Sequence, residues 1–179
     1  MRKLLSIFLL ILSIATIAIG QEYVLQPDSE IKFKAKHMGI LNVNGRFTEF
    51  SGSLILSDDG LKAEGQIMVA SVDTNNKTRD KELKSVDFLD SEKYPEIIYR
   101  SIRSFTENEK SIIEGELTIK DQARTLAFPY ELTKTGKGIL IEFETTITRS
   151  EFNLEFDSMD GLVGDEVVLK GYLLFEYKK

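Results

Sequence analysis

Over most of its length the chain alternates apolar and polar residues with a period of two, the mark of half-buried β-strands. In residues 31–37, Ile31, Phe33 and Ala35 fall on one face and Lys32, Lys34 and Lys36 on the other. In 111–120, Ile113, Gly115, Leu117 and Ile119 oppose Glu114, Glu116, Thr118 and Lys120. Leu126, Phe128, Tyr130 and Leu132 share a face, and Ile139, Ile141, Phe143, Thr145 and Ile147 oppose Glu142, Glu144, Thr146 and Thr148. Further strands are predicted over residues 44–57, 62–73, 96–105 and 166–177. Turn-forming clusters separate many of them: SDDG at 57–60, TENEK at 106–110 and KTGKG at 134–138.

About eight long strands joined by short turns predict an antiparallel sheet, and eight such strands close naturally into a barrel with room for one ligand. Alternation alone fits either of two barrels. A membrane-spanning barrel turns its apolar face outward. A water-borne barrel turns it inward. Long side chains such as Phe33, Phe128, Tyr130 and Phe143 can fill an interior, whereas buried lysines and glutamates would each need a partner. The charged face is therefore placed outside.

Residues 71–97 break the rhythm. They are dense in charge, lack glycine, and carry Leu83, Val86, Phe88 and Leu89. A helix near residues 76–86 is predicted. Asn75, Asn76 or Thr78 can cap its start. Asp80 and Lys84 stand four apart and Leu83 and Val86 three apart, so one side is expected to pack down while the other meets water. Tyr94-Pro95 returns the chain to strand. Such a helix either plugs one end of the barrel or serves as a lid, with Phe88 and Leu89 lining the mouth.

Four glycines keep parity with inward residues: Gly52, Gly65, Gly115 and Gly171. Glycine weakens a strand and marks a bulge, a bend or a close approach. Either barrel corners or a channel through the core accounts for them.

Composition removes several chemistries. The 179 residues include no cysteine and one histidine, and the net charge is −6. No disulfide scaffold, thiol nucleophile or thiolate metal site is available, so a hydrophobic core must hold the fold. The acidic balance and the lack of a basic stripe argue against nucleic acid. No G-x-S-x-G, H-E-x-x-H or P-loop sequence is present. His37 shares parity with Ile31, Phe33 and Ala35, and Arg149 with Phe143, Thr145 and Ile147. A buried arginine needs a carboxylate or carbonyls, and Asp73 and Asp80 are the candidate carboxylates.

At the start, Arg2 and Lys3 precede an apolar run from Leu4 to Ile19, with small residues at Ala18 and Gly20. That is the layout of a signal peptide cleaved after Gly20, although the run is almost long enough for an uncleaved anchor. The expected organisation is a signal peptide over 1–20 and one domain over 21–179.

The segments VNGRFTEFSG, VASVDTNNKTRDKEL, VDFLDSEKYPEIIYRS, GELTIK and TITRSEFNL resemble, in order and spacing, the YceI-like family of exported lipocalin-like polyisoprenoid-binding proteins. Asp73-Thr74, Arg79-Asp80, Leu83, Asp87-Phe88 and Tyr94-Pro95 carry most of the resemblance. It implies an all-β, eight-stranded antiparallel lipocalin-like barrel with one inserted helix. It also implies a periplasmic or secreted protein, outside the membrane after cleavage, that holds a long-chain isoprenoid or similar amphiphile. No enzymatic activity and no cofactor beyond that lipid are implied. Glu82, Asp121 and Asn153 depart from the family pattern, which has His at the first and Gly at the others. Asp and Asn tolerate positive φ, so both turns are expected to survive. The ligand-lining residues expected are Phe33, His37, Phe47, Gly65, Ile67, Phe88, Tyr99, Gly115, Leu117, Phe128, Tyr130, Phe143, Ile147 and Arg149. An enzyme acting on an amphiphile and an interaction module with a filled core remain the rival readings.

Overall fold

A computed structural model describes residues 20–37, 41–58, 60–155 and 163–178. The predicted signal segment, apart from Gly20, and the side chain of His37 lie outside the described residues. Among the described residues eleven strands form one sheet: β1 (Gln21–Leu25), β2 (Glu30–His37), β3 (Leu41–Phe47), β4 (Phe50–Ser57), β5 (Gly60–Met68), β6 (Val72–Asp73), β7 (Glu96–Glu107), β8 (Lys110–Ile119), β9 (Gln122–Lys134), β10 (Gly138–Thr148) and β11 (Val163–Tyr177). The order β1-β4-β5-β7-β8-β9-β10-β11 returns to β1, so eight strands close a ring, all antiparallel. Closure leaves the ring no free edge. β2, β3 and β6 continue the wall at one end, where β2 takes over from β1 as the partner of β11.

The eleven strands are eight long ones with local breaks. Between β1 and β2 lies Pro27, which has no N–H for the ladder. The Ser29 hydroxyl fills in for strand backbone, accepting from the Leu174 N–H at 2.9 Å. The predicted strand 44–57 bends at Thr48-Glu49. The strand 62–73 bends beside it, through a 3₁₀ turn over Val69–Ser71, and the Thr48 N–H donates to the Ser71 carbonyl at 3.2 Å. β1 itself was not expected from the alternation.

The helix α1 spans Lys77–Lys84. Asn76 caps it, its side-chain oxygen accepting from the N–H groups of Thr78 and Arg79, both at 3.1 Å. Leu83 packs into the core, but Val86 is 71% exposed. The helix stops at Lys84, so the expected pairing of Leu83 with Val86 on one helical face is lost. The positive φ in the turn after β8 belongs to Lys120, at 56°, and not to Asp121. Asn153 does adopt the left-handed conformation, closing the 3₁₀ turn Arg149–Phe152.

Inward residues form two buried groups. One, beneath α1, includes Phe47, Val69, Val72, Leu83, Phe88, Leu89 and Phe152. The other, at the opposite end, includes Tyr23, Leu54, Leu61, Ile139 and Phe175. Lys32, Lys34 and Lys36 on β2, and Glu142 and Glu144 on β10, face solvent. The ladder between β9 and β10 covers only Tyr130–Lys134 and stops at Pro129, which again offers no donor. Beyond that point the 3₁₀ turn lies against β9, with Phe152 fully buried.

Candidate functional site

Between the two buried groups the barrel encloses a cavity of about 570 Å³. That lies within the span of about 300–1,000 Å³ usual for ligand sites. Its walls are aliphatic and aromatic, with Ile31, Phe33, Ile67, Leu117, Phe128, Phe143 and Leu169 among them. Lys36 from β2 and Asn76, Thr78 and Glu82 from α1 and its cap are exposed and also line it, so the cavity reaches solvent beside the helix. At the far end Tyr23, Ile139 and Phe175 are buried and seal the barrel. The result is an apolar chamber with a polar mouth.

The mouth is held by the residues that carry the family resemblance. Thr74 is buried, and Asp80 Oδ1 accepts from its N–H at 2.8 Å and from its hydroxyl at 2.5 Å. The guanidinium of Arg79 donates from Nε to Thr74 Oγ1 and from Nη2 to the Thr74 carbonyl, both at 2.9 Å. Asp80 thus fixes Thr74, and Thr74 aims Arg79, which lines the cavity. Asp73 accepts from Arg46 Nε and Nη2 at 3.1 and 3.0 Å. The Asn75 N–H, then the Arg46 guanidinium, hold the Asp73 carboxyl below its ordinary range.

Arg149 is 3% exposed. It donates from Nε to the Gly164 carbonyl at 3.2 Å, from Nη1 to that of Leu154 at 2.5 Å and from Nη2 to that of Val163 at 3.0 Å. Asp73 and Asp80, the carboxylates named for it from sequence, are engaged by Arg46 and Thr74 instead. Carbonyls, the other option, are among the partners found. Arg149 ties the end of β10 to the start of β11 and is among the residues that line the cavity.

The inward glycines do not behave alike. A Cβ on Gly171 would run into the ring of Phe143, its direct cross-strand partner. A Cβ on Gly115 would lie 2.5 Å from the Tyr99 hydroxyl oxygen and 2.6 Å from the Arg100 carbonyl. At Gly52 it would lie 2.7 Å from the Glu64 carbonyl. These three mark close approaches, two of them seats for aromatic rings, and they correct the idea that each opens a channel. Only at Gly65 is there room: the nearest atom is the Ser51 carbonyl oxygen at 3.9 Å.

Of the residues nominated from sequence, Phe33, Phe47, Gly65, Ile67, Phe88, Tyr99, Leu117, Phe128, Tyr130, Phe143, Ile147 and Arg149 line the cavity. Gly115 does not, because Tyr99 covers it. Leu61, Ala63 and Leu126 line it too and were not nominated, although they share parity with residues that were. Leu25 and Arg79 had no periodic signal. Among the described residues there is no group of three His, Cys, Asp or Glu side chains placed to hold a metal, and no helix long and apolar enough to cross a membrane.

A closed antiparallel eight-stranded barrel, an apolar chamber and a helix at its mouth define a lipocalin-like barrel. The family model described as the YceI-like domain matches residues 23–175, and the chain belongs to that family. It is 33% identical over 136 residues to a UPF0312 protein of Photorhabdus laumondii, covering 71% of each chain. The crystal structure of BcnA from Burkholderia cenocepacia superposes with a TM-score of 0.76 at 26% identity, over 81% of this chain and 94% of that one. A polyisoprenoid binding domain from Saccharophagus degradans, implicated in plant cell wall breakdown, matches with a TM-score of 0.73 over 89% of this chain and 99% of that one. At 14% identity the last likeness is one of fold.

Proposed function

We propose that the protein is an exported carrier that holds a long-chain polyisoprenoid, of quinone or polyprenyl type, inside the barrel. One observation carries this reading: the chamber is almost wholly apolar, sealed at one end and open beside α1. The polyisoprenoid binding of the Saccharophagus domain supports it. The driving force is desolvation. Each buried methylene gains about 0.8 kcal/mol, so a prenyl chain of many units retains net affinity after ordering costs. Arg79, Lys36 and the capped start of α1 give the amphiphile a polar exit from the barrel. Among the described residues the chamber wall is aliphatic and aromatic, which supports binding as the reading.

Export rests on the leader over residues 1–20. β1 begins at Gln21, so cleavage after Gly20 would leave every strand of the ring whole. Intact-mass measurement on the exported protein is expected to give a chain starting at Gln21. A membrane-retained chain that keeps Met1 would overturn the soluble carrier.

Mass spectrometry of an organic extract, made after gentle purification from the native envelope, tests the cargo. An isoprenoid is expected in the extract, and stripping it should lower the melting temperature, because a ligand of the native state stabilises by mass action. Clean extracts, with no melting shift on adding prenyl lipids, would replace the carrier with an interaction module.

A further inference from the structure

The chamber opens between the outer ends of β2 and β3 and the helix α1, since Lys36, Val43, Thr78, Arg79 and Glu82 all line it. This rim concentrates cations on a protein that is acidic overall. β2, β3 and α1 together hold eight lysines and arginines against three carboxylates, whereas the whole chain holds 23 against 29. Lys77, Lys81 and Lys84 recur at steps of four and three, so they share one face of α1. Thr78, Arg79, Glu82 and Leu83, which line the chamber, fall on the opposite face, so the lysines point away from the barrel. Neither these three lysines nor Lys34 and Lys36 enter an ion pair among the described residues.

Two aliphatic side chains stand exposed on the same rim. Leu41 keeps the inward parity of Val43 and Phe47, yet it is 56% exposed, because it lies one step beyond Val43, where the lining of the chamber ends on β3. Val86, 71% exposed, falls between Leu83 and Phe88, which both line the chamber. Val24 and Ile55 are exposed nearer the sealed end, but Glu176 and Glu22 stand directly across from them. Only the mouth joins exposed aliphatic side chains to unpaired lysines among these positions.

An apolar cargo gives such a rim its use. Each methylene drawn into water costs about a factor of four. A long prenyl chain therefore leaves slowly through water, and quickly only where the mouth meets another apolar phase. A lysine near an anionic leaflet contributes about fivefold in affinity, and aliphatic side chains enter the interface beside it.

We propose that the rim formed by α1 and the outer ends of β2 and β3 docks onto an anionic membrane surface, with Lys77, Lys81 and Lys84 on the head groups and Leu41 and Val86 in the interface, and that cargo passes there without crossing water. The inference rests on the carrier reading above and adds the place of delivery, a bilayer with acidic head groups.

The test floats the purified, unloaded protein with vesicles of phosphatidylcholine, or of phosphatidylcholine and phosphatidylglycerol in equal parts. The protein is expected to rise with the anionic vesicles only, and to release at about 1 M salt, where the screening length falls to about 3 Å. Lys77→Gln/Lys81→Gln weakens binding about tenfold or more. Leu41→Ser/Val86→Ser weakens it severalfold. Both variants keep the melting temperature and the affinity for diphenylhexatriene, which shows that barrel and chamber are intact. Loaded with that dye, the wild type hands it to anionic vesicles at a rate that rises with vesicle concentration, the sign of transfer by contact. Flotation with neither vesicle, flotation that the lysine substitutions do not weaken, or a transfer rate independent of vesicle concentration overturns the proposal while leaving carriage in place. So does transfer that needs native membranes and is abolished by treating them with protease, since the rim then meets a protein. Failure of the dye to enter the wild type overturns carriage, and with it delivery from this rim.

Discussion

Gly65 stands directly across from Gly52 in the β4–β5 ladder, and the two leave a strip of inner wall without side chains. At Gly65 a Cβ would meet no atom closer than 3.9 Å, and its φ is not in the left-handed region. Gly65→Leu is therefore expected to project into the chamber without straining the backbone. Binding of prenyl lipids should fall at least about tenfold, while the melting temperature holds or rises, since replacing a strand glycine gains about 0.5–1 kcal/mol. Paired melting and dye-displacement measurements check both parts. Unchanged affinity in a folded variant would mean that the ligand does not pass over this strip.

Gly115 makes the opposite demand. Leucine there would press on the Tyr99 ring and on the fixed Arg100 carbonyl at 2.6 Å. Overpacking of this kind costs about 1–3 kcal/mol. Thermal melting of Gly115→Leu should drop by several degrees, with ligand binding weakened as a consequence of the displaced Tyr99. A variant as stable as the wild type would show that Tyr99 can vacate its seat freely.

The contrast between these two glycines shows what the sequence could and could not disclose. Parity put both on the inner face, because alternation is a local property of each strand. Which glycine lies under a ring depends on the neighbouring strand and on which way its aromatic leans. Those are cross-strand facts that no single strand records. Arg149 is similar. Its burial was legible from parity with Ile147, but the carbonyls of Val163 and Gly164 come to it through the β10–β11 connection. The start of the helix was legible to the residue, since Asn76 caps it within its own sequence neighbourhood, but its end at Lys84, short of Val86, was not. β1 is not legible, because five residues with Pro27 two places beyond them make too short an alternation to register.

Asn76→Ala tests how firmly α1 is seated. Loss of the cap costs about 1 kcal/mol. Hydrogen exchange should quicken over Lys77–Lys84 and stay slow in β8 and β11, because the barrel ladders do not depend on the cap. If the variant instead melts cooperatively at a much lower temperature, α1 is part of the barrel's folding unit and cannot open by itself.

Asp73 offers a pH-dependent signature. Its folded-state pKa is depressed, first by the Asn75 N–H and then by Arg46. The associated stability is present above the unfolded carboxylate value, about 3.9, and is lost as pH falls through the lower folded value. Carboxyl titration by NMR should place Asp73 below an ordinary aspartate. Arg46→Met should move it only part of the way back, since the Asn75 contact remains. A full return to the ordinary value would assign the whole depression to the ion pair.

Arg149 ties three carbonyls at the end of the barrel near the mouth, those of Leu154, Val163 and Gly164. Arg149→Met keeps the length of the stem and removes the donors. Each carbonyl in that pocket then loses a charged partner, and stranding buried polar groups costs about 1–3 kcal/mol apiece where water cannot replace the bond. A loss of about 3 kcal/mol or more is expected in chemical denaturation. Arg149→Lys should recover little, because one ammonium cannot reproduce a planar fork that reaches three acceptors. Binding distinguishes a clamp from a head-group anchor. As a clamp, Arg149 affects charged and uncharged prenyl ligands alike. As an anchor, its loss would weaken only ligands with an anionic head, and such selectivity would make Arg149, in place of Arg79, the polar contact at the mouth. The geometry favours the clamp: Nε, Nη1 and Nη2 already serve the protein's own backbone at hydrogen-bond distance, whereas Arg79 has only Nε and Nη2 committed among the described contacts, both to Thr74.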